Sequence, residues 1–385
     1  MTDKVVAPLN IAVIGAGMGG LAAAAALRKQ GIAVTVYEQA RQFTRLGAGI
    51  QIGCNAMHVL RGLGLEPGLR AESFYPRSWN NRHGQTGEVL FDMLFGASAE
   101  QKYGAPYLLA HRGDLHAALA GAVPADCIRL NHRLAGLEQT PSGVRLSFAN
   151  GETAEADALI GADGVNSIVR KSLFGDSEPR FAGRIAYRTT YPARLLDGFD
   201  IGDCTKWWGE DRHIVMYPVK ADRSEVYFVT SQPEPEFGRE SWSERGDVKV
   251  LRAAFAGFHP DVQRVLAACP QVHKRVLVDR EPLERWVEGR VALLGDACHP
   301  MTPYMAQGAA MAIEDAAILS RCLARCLAQA GRDGIAEALE QYQATRRERT
   351  ARAQLTSRQN SWGKGVTDTD WVYGYNAWTA PLARP

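Results

Sequence analysis

Ile11-Ala12-Val13-Ile14 runs straight into Gly15-Ala16-Gly17-Met18-Gly19-Gly20, and this junction decides the fold. Four consecutive apolar residues read as a strand covered on both faces. Leu21 to Gln30 follows as an alanine-rich helix closed by Gly31. The glycines have separate tasks in such a turn. Gly15 permits the tight bend, Gly17 lets a pyrophosphate approach the backbone, and Gly20 lets the helix lie close to the strand. The helix N-terminus then aims unpaired N–H groups and a partial positive charge at the phosphates. A second strand, Ala33 to Tyr37, ends in Glu38. A carboxylate about twenty residues beyond the glycine loop is placed to bond ribose hydroxyls and to repel a 2′-phosphate. The unit predicts a dinucleotide site. It does not by itself separate FAD from NAD, and glycine-rich strand–turn–helix units also occur without a ligand.

Two further motifs stand far away in the chain: Ile160-Gly161-Ala162-Asp163-Gly164, and Leu293-Leu294-Gly295-Asp296-Ala297-Cys298-His299-Pro300. Around all three, strand and helix patterns alternate, which predicts an α/β, Rossmann-like domain with a parallel sheet. Helix signals include Leu115–Val123, opened by Gly113-Asp114, and the long Ala306–Ala330. Residues 1–74, 106–180 and 282–352 are assigned to this cofactor domain. Residues 75–105 and 181–281 read differently. Lys206-Trp207-Trp208, His213–Tyr217 and Glu225–Thr230 are β-rich runs, with turns at Lys220–Ser224 and Gln232–Gly238. They predict an inserted substrate domain built on a mixed sheet, one face against the cofactor domain. The arginine-rich stretch Gly334–Thr356 reads as a solvated helical face. Residues 353–385 form a C-terminal tail whose Trp371, Tyr373, Tyr375 and Trp378 suggest docking on the protein or on a second subunit.

Composition narrows the function classes. The 385 residues are 46% hydrophobic and 22% charged, with a formal net charge of +2. That balance calls for no nucleic acid and no acidic membrane surface. No run of apolar residues is long enough to span a bilayer. Met1–Asn10 has none of the marks of a secretory signal, so a cytoplasmic location is the expectation. The seven cysteines are odd in number and irregularly spaced, which argues for reduced thiols rather than a disulfide framework. Cys322 and Cys326 lack a second pair to complete a metal site, and Cys298-His299 sits inside the third motif. No metal is expected.

The whole chain resembles the group A FAD-dependent aromatic hydroxylases, single-component flavoprotein monooxygenases. Gly15, Gly17, Gly20 and Glu38 match that family's ADP-binding unit. Asp163-Gly164 matches its motif beside the pyrophosphate, and Gly295-Asp296 its motif at the ribityl chain. Arg112, in His111-Arg112-Gly113-Asp114-Leu115, matches an arginine near the flavin. Arg45, in Thr44–Ile50, and Gln307-Gly308, in Met305–Gly308, join the cofactor set by the same likeness. Within the family the resemblance runs to the members that act on hydroxypyridine carboxylates. It implies that Cys204, His213 and Tyr217 line the substrate pocket as catalytic residues. Gln51 and Tyr304 stand there where histidines are expected.

The resemblance implies non-covalent FAD, NADH or NADPH as co-substrate, O₂, and hydroxylation of a hydroxylated aromatic or N-heteroaromatic acid, with or without loss of CO₂. No second dinucleotide loop marks which nicotinamide is used. A monomer or homodimer is expected. His213 would act as general base or orienting donor, because imidazole titrates near neutrality. Tyr217, four residues along the strand, shares its face. A strand histidine and a buried thiol also have plain structural readings. Two other functions share part of the pattern: a flavin oxidase or dehydrogenase, and a non-catalytic protein on a flavoprotein scaffold. The paired second and third motifs favour the hydroxylase.

Overall fold

The computed structural model describes residues 9–45, 48–234 and 244–384. Residues 235–238 of the expected Gln232–Gly238 turn, the Leu46-Gly47 part of the Thr44–Ile50 stretch and the start of the N-terminal segment lie outside them, while Gln232 and Pro233 end a strand rather than open a turn. Asn10–Ile14 is the central strand of a six-stranded sheet, ordered Val287–Glu288, Val291–Leu293, Ala158–Gly161, Asn10–Ile14, Ala33–Tyr37, Ile128–Arg129. Five of these run parallel and the Val287–Glu288 edge is antiparallel. Ile11, Val13 and Leu159 are wholly buried because helices and a small antiparallel sheet cover both faces.

The first helix, Met18–Lys29, starts three residues before the predicted Leu21, since the glycine pair already lies in its first turn. Leu21 through Leu27 are all buried. Alanine side chains let this helix pass between the sheet and the long helix Gly308–Ala330. That second helix begins just beyond the predicted Ala306, whose positive φ of 54° closes a short 3₁₀ turn.

The second sheet has eight strands, in the order Glu244–Gly246, Val272–Asp279, Arg180–Pro192, Glu225–Pro233, His213–Pro218, Thr205–Trp208, Ser78–His83, Val89–Leu94. It is mixed: Thr205–Trp208 pairs parallel with Ser78–His83, and the other neighbours are antiparallel. Side chains alternate between its faces. Trp207, Ile214, Met216 and Phe228 pack with the helices Val248–Ala254 and Pro260–Ala268 into a separate core. Cys204, Val215, Tyr217 and Tyr227 face the core that holds the first sheet.

The C-terminal region is helical. Ile335–Arg358 packs on Gly308–Ala330 and runs past residue 352, where the sequence reading put a boundary. No breaker interrupts it before Asn360, at φ 52°. Nor is this helix only a solvated face, because Arg346, Thr350 and Ser357 are wholly buried along one side. Arg346 donates to Asp315 at 2.7 Å and Arg349 to Glu314 at 2.8 Å, so the cations are neutralised by the neighbouring helix. The aromatic tail docks on its own chain: Tyr373 packs edge-on to Phe95 and Tyr107, and Trp378 Nε1 donates to the Val59 carbonyl. Among the described residues no helix is long and apolar enough to cross a membrane.

Candidate active site

The three motifs converge because of sheet register. Ile14 pairs with Gly161, and Gly161 with Leu293, so three adjacent parallel strands end side by side. Backbone bonds prolong the alignment: Gly15 N to the Tyr37 carbonyl, Ala162 N to that of Ile14, and Leu294 N to that of Gly161. The loops beyond the carboxyl ends of such strands are where open α/β sheets bind ligands. Here they open into a cavity of about 450 Å³ whose lining includes Gly17, Gly164, Gly295, Asp296 and Gly308.

The glycine loop is built for a ligand rather than for its own packing alone. Gly15 has φ +101°, and a Cβ there would lie 2.5 Å from the Ala162 carbonyl oxygen. A Cβ on Gly20 would lie 1.9 Å from the Gly15 oxygen. A Cβ on Gly17 would meet nothing within 4 Å. That open space, at an uncapped helix N-terminus with no acid in its first turn, suits a phosphate. Glu38 reaches back to the loop, accepting from Ala16 N and Ala40 N at 2.8 Å each, and retains lone pairs for hydroxyl donors.

Other candidates take different positions. Asp163 accepts from Ser167 Oγ and the Ile168 and Val169 amides, so its carboxylate anchors the next helix while Gly164 presents backbone to the cavity. Burial pushes that carboxyl above its usual range. Gln307 precedes Gly308–Ala330 at a buried position, makes no side-chain cap, and accepts from Asn55 at 2.9 Å, behind the cavity wall. Arg112 stands open to the cavity yet is ringed by protein, and burial together with Arg188 lowers its pKa. Arg45 is placed apart, paired with Asp114 and Glu225 at 2.9 Å each.

The second sheet supplies the opposite wall. Trp208 pairs with His213 and His213 with Ser231; Lys206 pairs with Val215 and Val215 with Val229. These rows put Lys206, His213, Val215, Tyr217, Tyr227, Val229 and Ser231 on one face, and all line the cavity. His213 is buried, edge-on to Tyr304 and tilted against Trp208. Burial, then the charges of Lys206 and Arg184, hold its pKa well below the ordinary histidine value, so the ring is neutral at pH 7. Tyr304 reaches Ser231 Oγ at 3.1 Å. Gln51 accepts from the Tyr107 hydroxyl, and its Nε2 lies 4.0 Å from the Cys204 sulfur. Cys204 therefore sits one layer behind the wall, its thiol kept protonated by burial.

Residues 9–357 match the protein family described as FAD binding domain. The chain is 45% identical to 6-hydroxynicotinate 3-monooxygenase of Bordetella bronchiseptica, over 97% of either chain. It belongs to the group A FAD-dependent aromatic monooxygenases. It is also 40% identical to 3-amino-4-hydroxybenzoate 2-monooxygenase of Streptomyces cremeus, covering 91% of this chain and 86% of that one. Klebsiella pneumoniae HpxO, solved with FAD and uric acid, superposes with a TM-score of 0.81 at 30% identity, covering 94% of this chain and 90% of that one. As expected for this family, the open cradle at Gly17, the acceptor at Glu38 and the aligned loops fit the ADP half of an FAD.

Among the wall residues that the sequence reading gave no site role are Trp79, Arg188, Lys206 and Arg275. Arg275 is pushed down to about 10 by burial and by the charges of Arg188 and Arg112. Three guanidiniums and one ammonium thus share the cavity with Asp296, an excess that favours anionic ligands. Cys298, His299 and Asp315 hold ligand-type atoms close together. Asp315 there accepts from His299 at 2.6 Å and from Arg346, so its carboxylate is already engaged by a ring donor and a guanidinium.

Proposed function

We propose that the enzyme hydroxylates a hydroxylated aromatic or N-heteroaromatic carboxylic acid, with NADH or NADPH as reductant and 6-hydroxynicotinate as the first substrate to try. The observation that carries this is the shared cavity. One wall is the convergence of cofactor loops, and the other is a sheet face with a neutral histidine, tyrosines and the basic side chains of Lys206, Arg188 and Arg275. A bound, reduced FAD supplies activation of O₂. One oxygen atom goes to the ring and the other leaves as water. With 6-hydroxynicotinate the carboxyl group departs as CO₂ and 2,5-dihydroxypyridine forms.

The chain's own residues orient and shield. Neutral His213 accepts a hydrogen bond from the ring hydroxyl, which raises electron density on the carbon to be attacked. Tyr217 and Tyr304 stay protonated because burial raises both, so each is a hydroxyl donor to the substrate rather than a base. The apolar wall of Val215, Val229 and Leu277 keeps water from the reacting atoms. The FAD is held without a covalent bond, and acid precipitation should leave all flavin in the supernatant. Flavin retained in the pellet contradicts this.

The screen that tests the reading measures NADH oxidation and O₂ uptake with hydroxylated pyridine and benzene carboxylates, followed by product analysis. A stimulated rate with a hydroxylated, oxygenated product is expected for at least one acid. Stimulation only by rings lacking a carboxylate defeats it. Gln51 and Tyr304 should tune the choice of acid. Neither carries charge near pH 7, whereas histidine can. Gln51→His with Tyr304→His should raise kcat/KM for 6-hydroxynicotinate, relative to the preferred native acid, about tenfold or more, since a hydrogen bond to a charged group contributes roughly 1.5–3 kcal/mol. An unchanged ratio removes both residues from specificity.

A further inference from the structure

We propose that Lys206 is the receptor for the substrate's carboxylate, the cation on which the ring acid is anchored in the pocket. This rests on the substrate class proposed above. The side chain is 1% exposed, lies on the cavity face of Thr205–Trp208, and places its Nζ 3.8 Å from the centre of the Trp208 ring. Among the described residues no carboxylate pairs with it. Its nearest electrostatic support is the π-face of Trp208, which contributes little beside the cost of burying an ammonium. Cations nearer the surface are paired with acids: Lys220, for instance, lies 2.9 Å from Asp114. A buried, uncompensated ammonium on a cavity wall is a site whose counter-ion arrives with the ligand.

The register fixes what the anchor does. Lys206 pairs with Val215, and Trp208 with His213, so Lys206 and His213 are diagonal neighbours on one face. Diagonal side chains on adjacent strands are about 7–8 Å apart at their Cα atoms. That span suits a single ring holding its carboxylate at one group and its hydroxyl at the other. Gln51 and Tyr304, both neutral, border the same pocket and offer the acid no charge.

The anchor has a pH signature. Burial brings Lys206 down to about 7, so without a ligand the lysine itself is largely uncharged at pH 8. Cys204 on its own strand and Tyr217 on the facing strand are pushed well up by burial, and His213 well down, so none of the three changes charge between pH 6 and 9. Tyr304 is likewise raised. The charged surroundings also include Arg184 beside His213, Lys364 at 5.9 Å from the Trp208 ring centre, and Arg112, Arg188, Arg275 and Asp296 elsewhere on the cavity wall. A carboxylate at Lys206 therefore draws a proton onto it.

The test uses flavin-loaded enzyme and flavin absorbance changes to titrate 6-hydroxynicotinate against 6-hydroxynicotinamide. Lys206→Met should weaken acid binding tenfold or more and amide binding less than threefold, and Lys206→Arg should recover most of the loss. In the wild type, acid affinity should fall steadily from pH 7 to 9 while amide affinity stays flat. Acid binding at pH 8 should take up close to one proton, read with an indicator dye. Equal losses for acid and amide in Lys206→Met, or a flat acid profile in the wild type, overturn the proposal. The wild-type profile decides the matter even if the methionine variant does not fold. If no ring acid binds the wild type at all, the substrate class falls and the anchor with it; if acids bind and turn over but ignore Lys206, the anchor alone falls.

Discussion

Gly17→Val should purify folded and colourless. Gly17 has φ −74° and ψ −175°, extended backbone in which a β-branched residue is at ease. Its Cβ would enter open space, so the fold of the loop has no reason to change. The added methyl groups would stand where the helix N-terminus meets the cavity, in the path of the phosphates. Gly15→Val is a poorer probe. There a side chain meets both a positive φ and the Ala162 carbonyl, so loss of flavin and loss of fold would arrive together. For Gly17→Val, the absorbance near 450 nm (roughly the flavin band) relative to that of protein should fall to background, with circular dichroism unchanged. Without flavin the NADH-dependent O₂ uptake should vanish. A yellow variant with near-normal flavin content would mean that the phosphates do not lie on this turn.

The cofactor half of the site was legible because it is local. Each of its three motifs is a strand end and the few residues after it, and parallel register places those ends together without further information. Glu38 was found the same way, at the end of the second strand. The substrate half was legible only in part, because it is assembled from strands distant in sequence. Trp79, Arg188 and Arg275 lie on three different strands, and only pairing shows that they face one cavity. Lys206 is a different case. Period-two alternation from Cys204 puts Lys206 and Trp208 on its face, so a pocket role for Cys204 already implied one for the lysine. Reading Lys206-Trp207-Trp208 as a mere strand signal hid that. The structure in turn sets Cys204 behind Gln51, with the lysine on the wall itself.

Arg346 shows where composition misleads. In an arginine-rich helix each cation reads as solvated, because its partners are on another helix, about thirty residues earlier. Glu314 and Asp315 lie there in an otherwise apolar run, wholly buried. Asp315 also accepts from Gly295 N and His299, so Arg346 fixes the carboxylate that holds the third cofactor motif. Arg346→Met keeps the length of the side chain and removes its charge. It leaves two buried acids short of a cation, and breaking such a pair costs about 3–5 kcal/mol. Burial alone would raise both carboxyls; the guanidiniums, with His299, outweigh it and hold them below the ordinary range. A depressed acid contributes stability that is full above its unfolded pKa and is lost as pH falls through the folded one. The gap between wild type and variant in urea unfolding should therefore be widest near pH 7 and shrink once the pH drops below about 4. Flavin affinity should weaken as well, because the Gly295 loop loses its tether. A difference under about 1 kcal/mol at pH 7 would place the tether elsewhere, in the Asp315–His299 pair alone.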